Sequence, residues 1–257
     1  MSLPKIRLER CERTGLESWQ LDEEQARHLT KALRLYEGAT VEGLLDESGP
    51  DAAGKRFLLR LEKEGEGYLV RAVDSEAAIP DELSLTLLIG LLKADQFEAV
   101  LRASAELGLA SILPVVCERS VPRIGAAEIG KKMVRWGRII DEGTKVSGAI
   151  VPPRLSSPVD FTRLEWDRLP QKRYAAMLSQ KAVPISACFP PSLPDLSAAD
   201  ERTSVVLAVG PEGDWSDTES RLLLKNGFTA VGLGGRILRA ATAALLGCGW
   251  IRLAHGS

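Results

Sequence analysis

The stretch "LAVGPEGDWSDTES", residues 207–220, runs from apolar residues into Gly210-Pro211-Glu212-Gly213 and then into Ser216, with Glu219 three positions on. Residues 204–209 read as a buried strand, and the four-residue turn must redirect the chain at its carboxyl end. The Ser216/Glu219 pair is a capping-box pattern, which predicts a helix that starts close to the turn with its amide donors directed back toward it. Two glycines in the turn allow a ligand to approach the backbone. In open α/β sheets this end of the strands is where ligands bind, although a tight strand-to-helix turn holding nothing has the same local pattern.

A second segment, "TAVGLGGRILRAATAALLG" at 229–247, repeats the order of strand, glycine-rich turn and helix. Gly232-Leu233-Gly234 begins like a dinucleotide fingerprint, but Ile237 stands where the third glycine belongs and no acidic residue follows on a later strand. No G-x-x-x-x-G-K-[ST] loop for nucleotide phosphates occurs. Arg236 and Arg239, three apart at the expected helix start, are predicted to share one helix face and could hold a polyanion there.

Working outward, residues 83–92 ("LSLTLLIGLL") form a near-continuous apolar run. "DQFEAVLRASAELG" has helical spacing from Asp95 to Gly108, and "ASILPVV" is apolar again. The alternation continues through a helix over 131–146, a strand near "RYAAML", the strand "TSVVLAV", the helix "SDTESRLLLKN", the strand "TAVGL" and a last helix from Arg239. Such alternation predicts a parallel sheet covered by helices. Residues 1–75 read differently, as short strands ("ATVEGLLD", "RFLLRLEKEGEGYLVRAVD") joined by turns such as "ESGPDAAG", interrupted by one helix expected from Asp22 to Gly38. The boundary is expected within "DSEAAIPDE", residues 74–82, giving a small β-rich domain over 1–75 and an α/β domain over 76–257. The Pro- and Ser-rich loop at 179–204 is long enough to serve a function.

With 257 residues, 45% apolar and 26% charged, the chain has the composition of an ordinary globular protein. No run approaches the roughly 18 to 20 apolar residues of a membrane span, and the first residues carry no signal-peptide core, so a cytoplasmic location is the expectation. Four scattered cysteines with no C-x-x-C pair point to free, buried thiols rather than zinc or disulfides, and no metal is implied. The net charge of −2 gives no global attraction to nucleic acid. Locally, residues 117–154 hold eight basic side chains against four acidic ones, which marks either a solvated helix face or a contact for polyanions.

The two turn segments together, "GPEGDWS" at 210–216 and "LGGRILRAATAAL" at 233–245, resemble the SPOUT class of RNA methyltransferases. The whole chain is similar to the ribosomal RNA small subunit methyltransferase E family. Weaker likenesses lie in "HLTKALRLYEG" at 28–38, in residues 91–121 and in "KKMVRWGRIIDEGTKVSG" at 131–148. Two positions depart from the family pattern: Ala241 stands where a glutamate is usual, and Val146-Ser147-Gly148-Ala149 replaces a Gln-Ser-Gly-Arg-like run.

The resemblance implies a PUA-like, RNA-binding β-barrel followed by a knotted α/β methyltransferase domain, paired as a homodimer. The implied cofactor is S-adenosylmethionine, and the implied reaction is methylation at N3 of a uridine in 16S ribosomal RNA, as naked RNA or within the small subunit. Leu178, Gly210, Pro211, Glu212, Gly213, Leu233, Gly234, Ile237, Leu238 and Ala243 would bind the cofactor, with Glu212 fixing loop geometry rather than moving protons. Arg236 and Arg239, beside the expected cofactor turn, would orient the uracil or a neighbouring phosphate and stabilise the forming uracil anion. Arg7, Arg10, His28, Arg34, Arg119, Arg123, Arg135 and Arg138 are the candidate RNA contacts, and Trp215, just past the turn, is a candidate for stacking a base; Trp136 and Trp250 read as core or interface. The alternative is an RNA-binding homologue that catalyses poorly, for which Ala241 and the altered 146–149 run speak.

Overall fold

The computed structural model describes residues 3–15, 17–45, 55–77, 83–149, 151–179, 181–190 and 203–255. The turn expected at 47–54 and part of the 74–82 boundary lie outside the described residues. The chain divides into two compact units, residues 1–80 with 148–151, and residues 81–147 with 152–257.

The first unit contains β1 (Lys5–Arg7), β2 (Glu12–Arg13), β3 (Ser18–Gln20), α1 (Glu23–Arg27), β4 (Thr40–Leu45), β5 (Lys55–Glu64) and β6 (Gly67–Ala77). Its sheet order is β1-β4-β5-β6-β3-β2, antiparallel except for β1 beside β4. Strict alternation builds its core: Phe57, Leu59 and Leu61 of β5 point inward while Arg56, Leu58 and Arg60 stay in solvent. Ile6, Trp19, Val41 and Val70 fill the same face, with the Trp19 and Phe57 rings 4.9 Å apart. A register shift between Leu58 and Leu59 bends the long β5–β6 hairpin around this core, which curls the sheet.

The helix expected over 22–38 is much shorter. Asp22 caps it as anticipated, accepting from the Gln25 amide at 2.6 Å, but α1 ends at Arg27 and a wider π-type turn covers His28–Ala32. Burial of Leu29 and the left-handed Arg34 (φ 55°) turn the chain back, and the Gly38 amide donates to Leu61 O at 2.7 Å on the way into β4. Gly38 therefore serves the strand entry instead of a helix end.

The second unit contains β7 (Leu83–Gly90), α2 (Ala94–Glu106), β8 (Ser111–Val116), α3 (Ala126–Ser147), β9 (Arg154–Leu155), β10 (Val159–Asp160), β11 (Lys172–Ala176), β12 (Val183–Pro184), α4 (Ile185–Cys188), β13 (Thr203–Val209), α5 (Asp217–Lys225), β14 (Thr229–Gly232) and α6 (Ala240–Ala254). All strands pair in parallel in the order β10-β8-β7-β13-β11-β14-β12, with β9 beside β8. β13 thus returns to the middle of the sheet, between β7 and β11. Both faces of β7 and β13 are covered, which explains their unbroken apolar sequences. On one side α2, α3 and α6 supply Phe97, Trp136 and Ile251; on the other Phe161, Trp215, Leu223 and Phe228 form a second layer.

Two helix starts differ from the sequence reading. Asp95 lies within the first turn of α2 and the capping position falls to Lys93, whose side chain makes no cap. Its amide instead donates to a carboxylate from elsewhere in the unit, that of Glu212. α3 begins at Ala126, five residues before the expected Lys131.

Candidate active site

The carboxyl ends of β13, β11 and β14, three adjacent parallel strands, open into one cavity of about 1000 Å³. Its walls are the 176–179 segment after β11, Val209–Glu212 with Asp214 after β13, Val231–Arg239 after β14, and Ala240 and Ala243 of α6. Ala182 and Pro184 of the long loop also line it; residues 180 and 191–202 of that loop lie outside the described residues.

The turn after β13 is fixed from several directions. Lys93 N donates to Glu212 Oε1 at 3.0 Å, tying the turn to the start of α2. Arg119 spans the other side, donating to Gly213 O at 3.1 Å and to Trp215 O at 3.3 Å. Asp214 sits at φ 60°, rare for a residue with a side chain, and its Oδ1 accepts from the Trp215 amide at 2.8 Å. Close packing sets the glycine positions. A Cβ on Gly90 would lie 2.4 Å from Pro211 N, and one on Gly213 would lie 2.9 Å from Arg119 Cβ. On the opposite wall Gly234 adopts φ 110°, which a larger residue could not hold without strain.

One helix start faces elsewhere. The expected capping box is present: Ser216 accepts from Glu219 N and the buried Glu219 carboxylate accepts from Ser216 N at 2.8 Å and Glu118 N at 2.8 Å. These groups border a different depression of about 560 Å³ with Cys117 and Arg123, so the start of α5 lines that depression and not the cavity.

Eleven of the twelve residues singled out for cofactor and chemistry line this cavity: Leu178, Gly210, Pro211, Glu212, Leu233, Gly234, Arg236, Ile237, Leu238, Arg239 and Ala243. Gly213 does not; it faces Arg119. The expected shared helix face of Arg236 and Arg239 is corrected by the structure. α6 begins only at Ala240, where burial of Ala240, Ala244, Cys248 and Ile251 begins, so Arg236 lies in a bend and Arg239 is the extended capping residue. Both are exposed and both border the cavity. Ala241 packs against the core instead of lining the cavity.

The candidate RNA contacts are scattered. His28 and Arg34 are exposed in the first unit, whereas Arg7 is buried beside Glu9 and offers no surface charge. The Arg10 side chain lies outside the described residues. In the second unit Arg119 is engaged by the turn, Arg123 donates to Cys117 O at 3.4 Å, Arg135 pairs with Glu98 at 2.7 Å, and Arg138 is exposed. Trp215 is not a stacking platform: it is buried, its Nε1 donates to Ala176 O at 3.3 Å and its ring packs 5.5 Å from Phe161. Trp136 is core, 4.8 Å from Phe97. Of the four cysteines, all free, Cys117 and Cys248 are buried and Cys11 and Cys188 are half-buried; burial pushes the Cys248 thiol up to about 12.

Sequence reasoning missed Gln96, Met177, Ser179 and Asp214 in the lining. Gln96 is the most informative of them. It sits in the first turn of α2, borders the cavity, and its Oε1 is buried with no hydrogen-bond partner. The available signal was positional, since α2 follows β7 at the same carboxyl edge of the sheet. Among the described residues no group of three His, Cys, Asp or Glu could hold a metal, and no helix is long and apolar enough to cross a membrane.

A family model described as an RNA methyltransferase domain matches residues 80–252. The ribosomal RNA small subunit methyltransferase E of Synechocystis is 30% identical over 220 residues, 85% of this chain and 67% of that protein. The protein of the same name from Bacillus subtilis is 27% identical over 229 residues, 86% of this chain and 84% of its own length. In structure, a Legionella pneumophila protein solved in complex with the cofactor SAM superposes with a TM-score of 0.81 at 25% identity, covering 99% of this chain and 98% of the other. The fold is also that of a ribosomal RNA small subunit methyltransferase E from Neisseria gonorrhoeae, with a TM-score of 0.75 at 24% identity over 96% and 95% of the two chains. The parallel order of the sheet, the cavity at its carboxyl edge and these matches lead to one conclusion: the chain belongs to the RNA methyltransferase family, in its ribosomal RNA small subunit methyltransferase E branch.

Proposed function

We propose that this protein is an S-adenosylmethionine-dependent methyltransferase that modifies N3 of a uridine in 16S ribosomal RNA. The observation that carries the reading is the cavity itself, which gathers two glycine-bearing turns and two arginines at the carboxyl ends of the parallel strands β13 and β14, on either side of β11. The residues fit the cofactor. Gly210, Gly232, Gly234 and Gly235 bring main chain without side chains to the lining, Leu178, Leu233, Ile237 and Leu238 offer apolar walls, and Gln96 carries a buried acceptor without a donor among the described residues. When bound, the cofactor supplies an electrophilic methyl group on a sulfonium.

The chain's own residues do the rest. The turns after β13 and β14 hold the cofactor through the main chain, and Glu212 keeps the first of them in place through Lys93 N. Arg236 and Arg239, exposed at the cavity, orient the base and favour the uracil anion left when its N3 proton passes to water. The pairing edge is reachable only when the base is unpaired or swung out. Alignment of nucleophile and methyl contributes on the order of 7 kcal/mol or more, and a general base about 10²- to 10⁴-fold, so positioning carries most of the catalysis.

The RNA-binding role is assigned to a first domain over 1–75, with His28 and Arg34 on its surface, and to Arg138 and neighbouring charges of the methyltransferase domain over 76–257. A homodimer is supported by Leu246 and Leu253 of α6, seven residues apart on one helix face and exposed among the described residues, and by Ile237 at the cavity, 80% exposed. A substrate in the small ribosomal subunit implies work in the cytoplasm.

Incubating the purified protein with S-adenosylmethionine and small-subunit RNA should yield 3-methyluridine; cofactor binding without that product would sink the N3 assignment. The second reading, an RNA-binding homologue without activity, is favoured by Ala241 and the 146–149 run. It would show RNA binding with no heat of cofactor binding.

A further inference from the structure

Gln96 borders the cavity, and its Oε1 is buried and finds no donor among the described residues. A buried acceptor left unpaired lowers stability, so its natural partner is a group that arrives with a ligand. Resting on the methyltransferase reading, the donors on offer can be enumerated. The base of a uridine, glycosylated at N1, has a single N–H, at N3, and that hydrogen lies on the line along which the methyl must arrive. A residue that held it would block the transfer. The cofactor has its 6-amino group, its ribose hydroxyls and its α-ammonium.

The charges around the cavity choose among these. Glu212 and Asp214 enter from the turn after β13, and Glu212 is bound to the amide of Lys93, three residues before Gln96. Arg236 and Arg239 enter from the turn after β14, and β11 separates that strand from β13 in the sheet. One side of the cavity therefore carries acceptors and negative charge while the other carries guanidinium groups. A cation settles on the first side. We infer that Gln96 is a further cofactor-binding residue whose Oε1 accepts a hydrogen bond from the α-ammonium of S-adenosylmethionine, on the side of the cavity that carries the Glu212 and Asp214 carboxylates.

Two ligands separate the possibilities. S-adenosylhomocysteine keeps the ammonium, and 5′-methylthioadenosine lacks the amino-acid arm while keeping adenine and ribose. Titration calorimetry of both against wild type, Gln96→Met and Gln96→Glu provides the test, with no turnover needed. Gln96→Met should weaken S-adenosylhomocysteine about tenfold or more and leave 5′-methylthioadenosine within about twofold. Gln96→Glu, which keeps the acceptor, should retain the affinity of wild type within about threefold. The unliganded Gln96→Met protein should melt no lower than wild type, because an unpaired acceptor has been removed. Equal S-adenosylhomocysteine affinity in Gln96→Met overturns the inference, as does a parallel loss for 5′-methylthioadenosine or a Gln96→Glu variant as weak as Gln96→Met. Failure of wild type to bind S-adenosylhomocysteine is a different result: it overturns the proposed function, and this inference with it.

Discussion

Replacing Gly90 with alanine tests whether the turn at 210–213 is held in one position by the end of β7. The added Cβ would stand 2.4 Å from Pro211 N, 2.6 Å from Pro211 Cδ and 2.9 Å from Gly210 C, where ordinary contact begins at 3.4 Å. These are backbone and ring atoms, so no rotamer change relieves the overlap. Gly90 cannot retreat either, because it is in register with Val115 of β8 on its other side. Overpacking of this kind costs about 1–3 kcal/mol, and an overlap of backbone atoms belongs at the upper end. At about 2–4 °C per kcal/mol for a chain of this size, Gly90→Ala should lower the melting temperature by about 6–12 °C. The escape route for the strain is displacement of the turn into the cavity, so affinity for S-adenosylhomocysteine should fall about tenfold or more in the same variant. Gly137→Ala in α3 is the control. Nothing lies within 4 Å of its added Cβ, and the helix should gain about 0.5–1 kcal/mol. Calorimetric unfolding and titration of both variants check the pair; a Gly90→Ala protein with wild-type melting and wild-type ligand affinity would refute the packing argument.

Glu219→Ala should cost about 3 kcal/mol or more, because it strands the amides of Ser216 and Glu118 in a buried site, and urea unfolding would reveal it as a lower midpoint at unchanged slope. Arg236→Ala should leave cofactor affinity mostly intact and depress methyl transfer; unchanged turnover would remove the role proposed for it. Cys248 adds a pH term. Burial raises its thiol from 9.0 to about 12, so above pH 9 the unfolded chain gives up a proton that the folded chain keeps, and stability falls as pH rises. That slope is about 1.4 kcal/mol per pH unit up to the folded value, and Cys248→Ala should flatten the alkaline limb of a stability–pH curve by that amount.

The elements most legible in the sequence are those whose pattern is local. The unbroken apolar runs of β7 and β13, the alternation of β5 and the Ser216/Glu219 box each declare their structure within a few residues, and the structure contains all of them. What escaped depends on partners distant in sequence. α1 stops at Arg27 because Leu29 is drawn into the core of its sheet, which no helix-end signal announces. Arg236 and Arg239 have helical spacing, yet the helix starts where Ala240 meets its core. Trp215 sits beside a ligand-like turn, but its burial against Phe161 appears only once α5 is packed on the sheet. Gln96 carries no motif; an unpaired acceptor is a property of the folded surroundings alone.

In the proposed reaction the cavity transfers a methyl group from S-adenosylmethionine to N3 of a uridine in small-subunit RNA. Mass mapping of nucleosides and fragments from 16S ribosomal RNA of cells with and without this protein tests it most directly. One 3-methyluridine should disappear when the protein is absent and return with the wild-type chain but not with Arg236→Ala; an unchanged methyluridine inventory would overturn the proposed function.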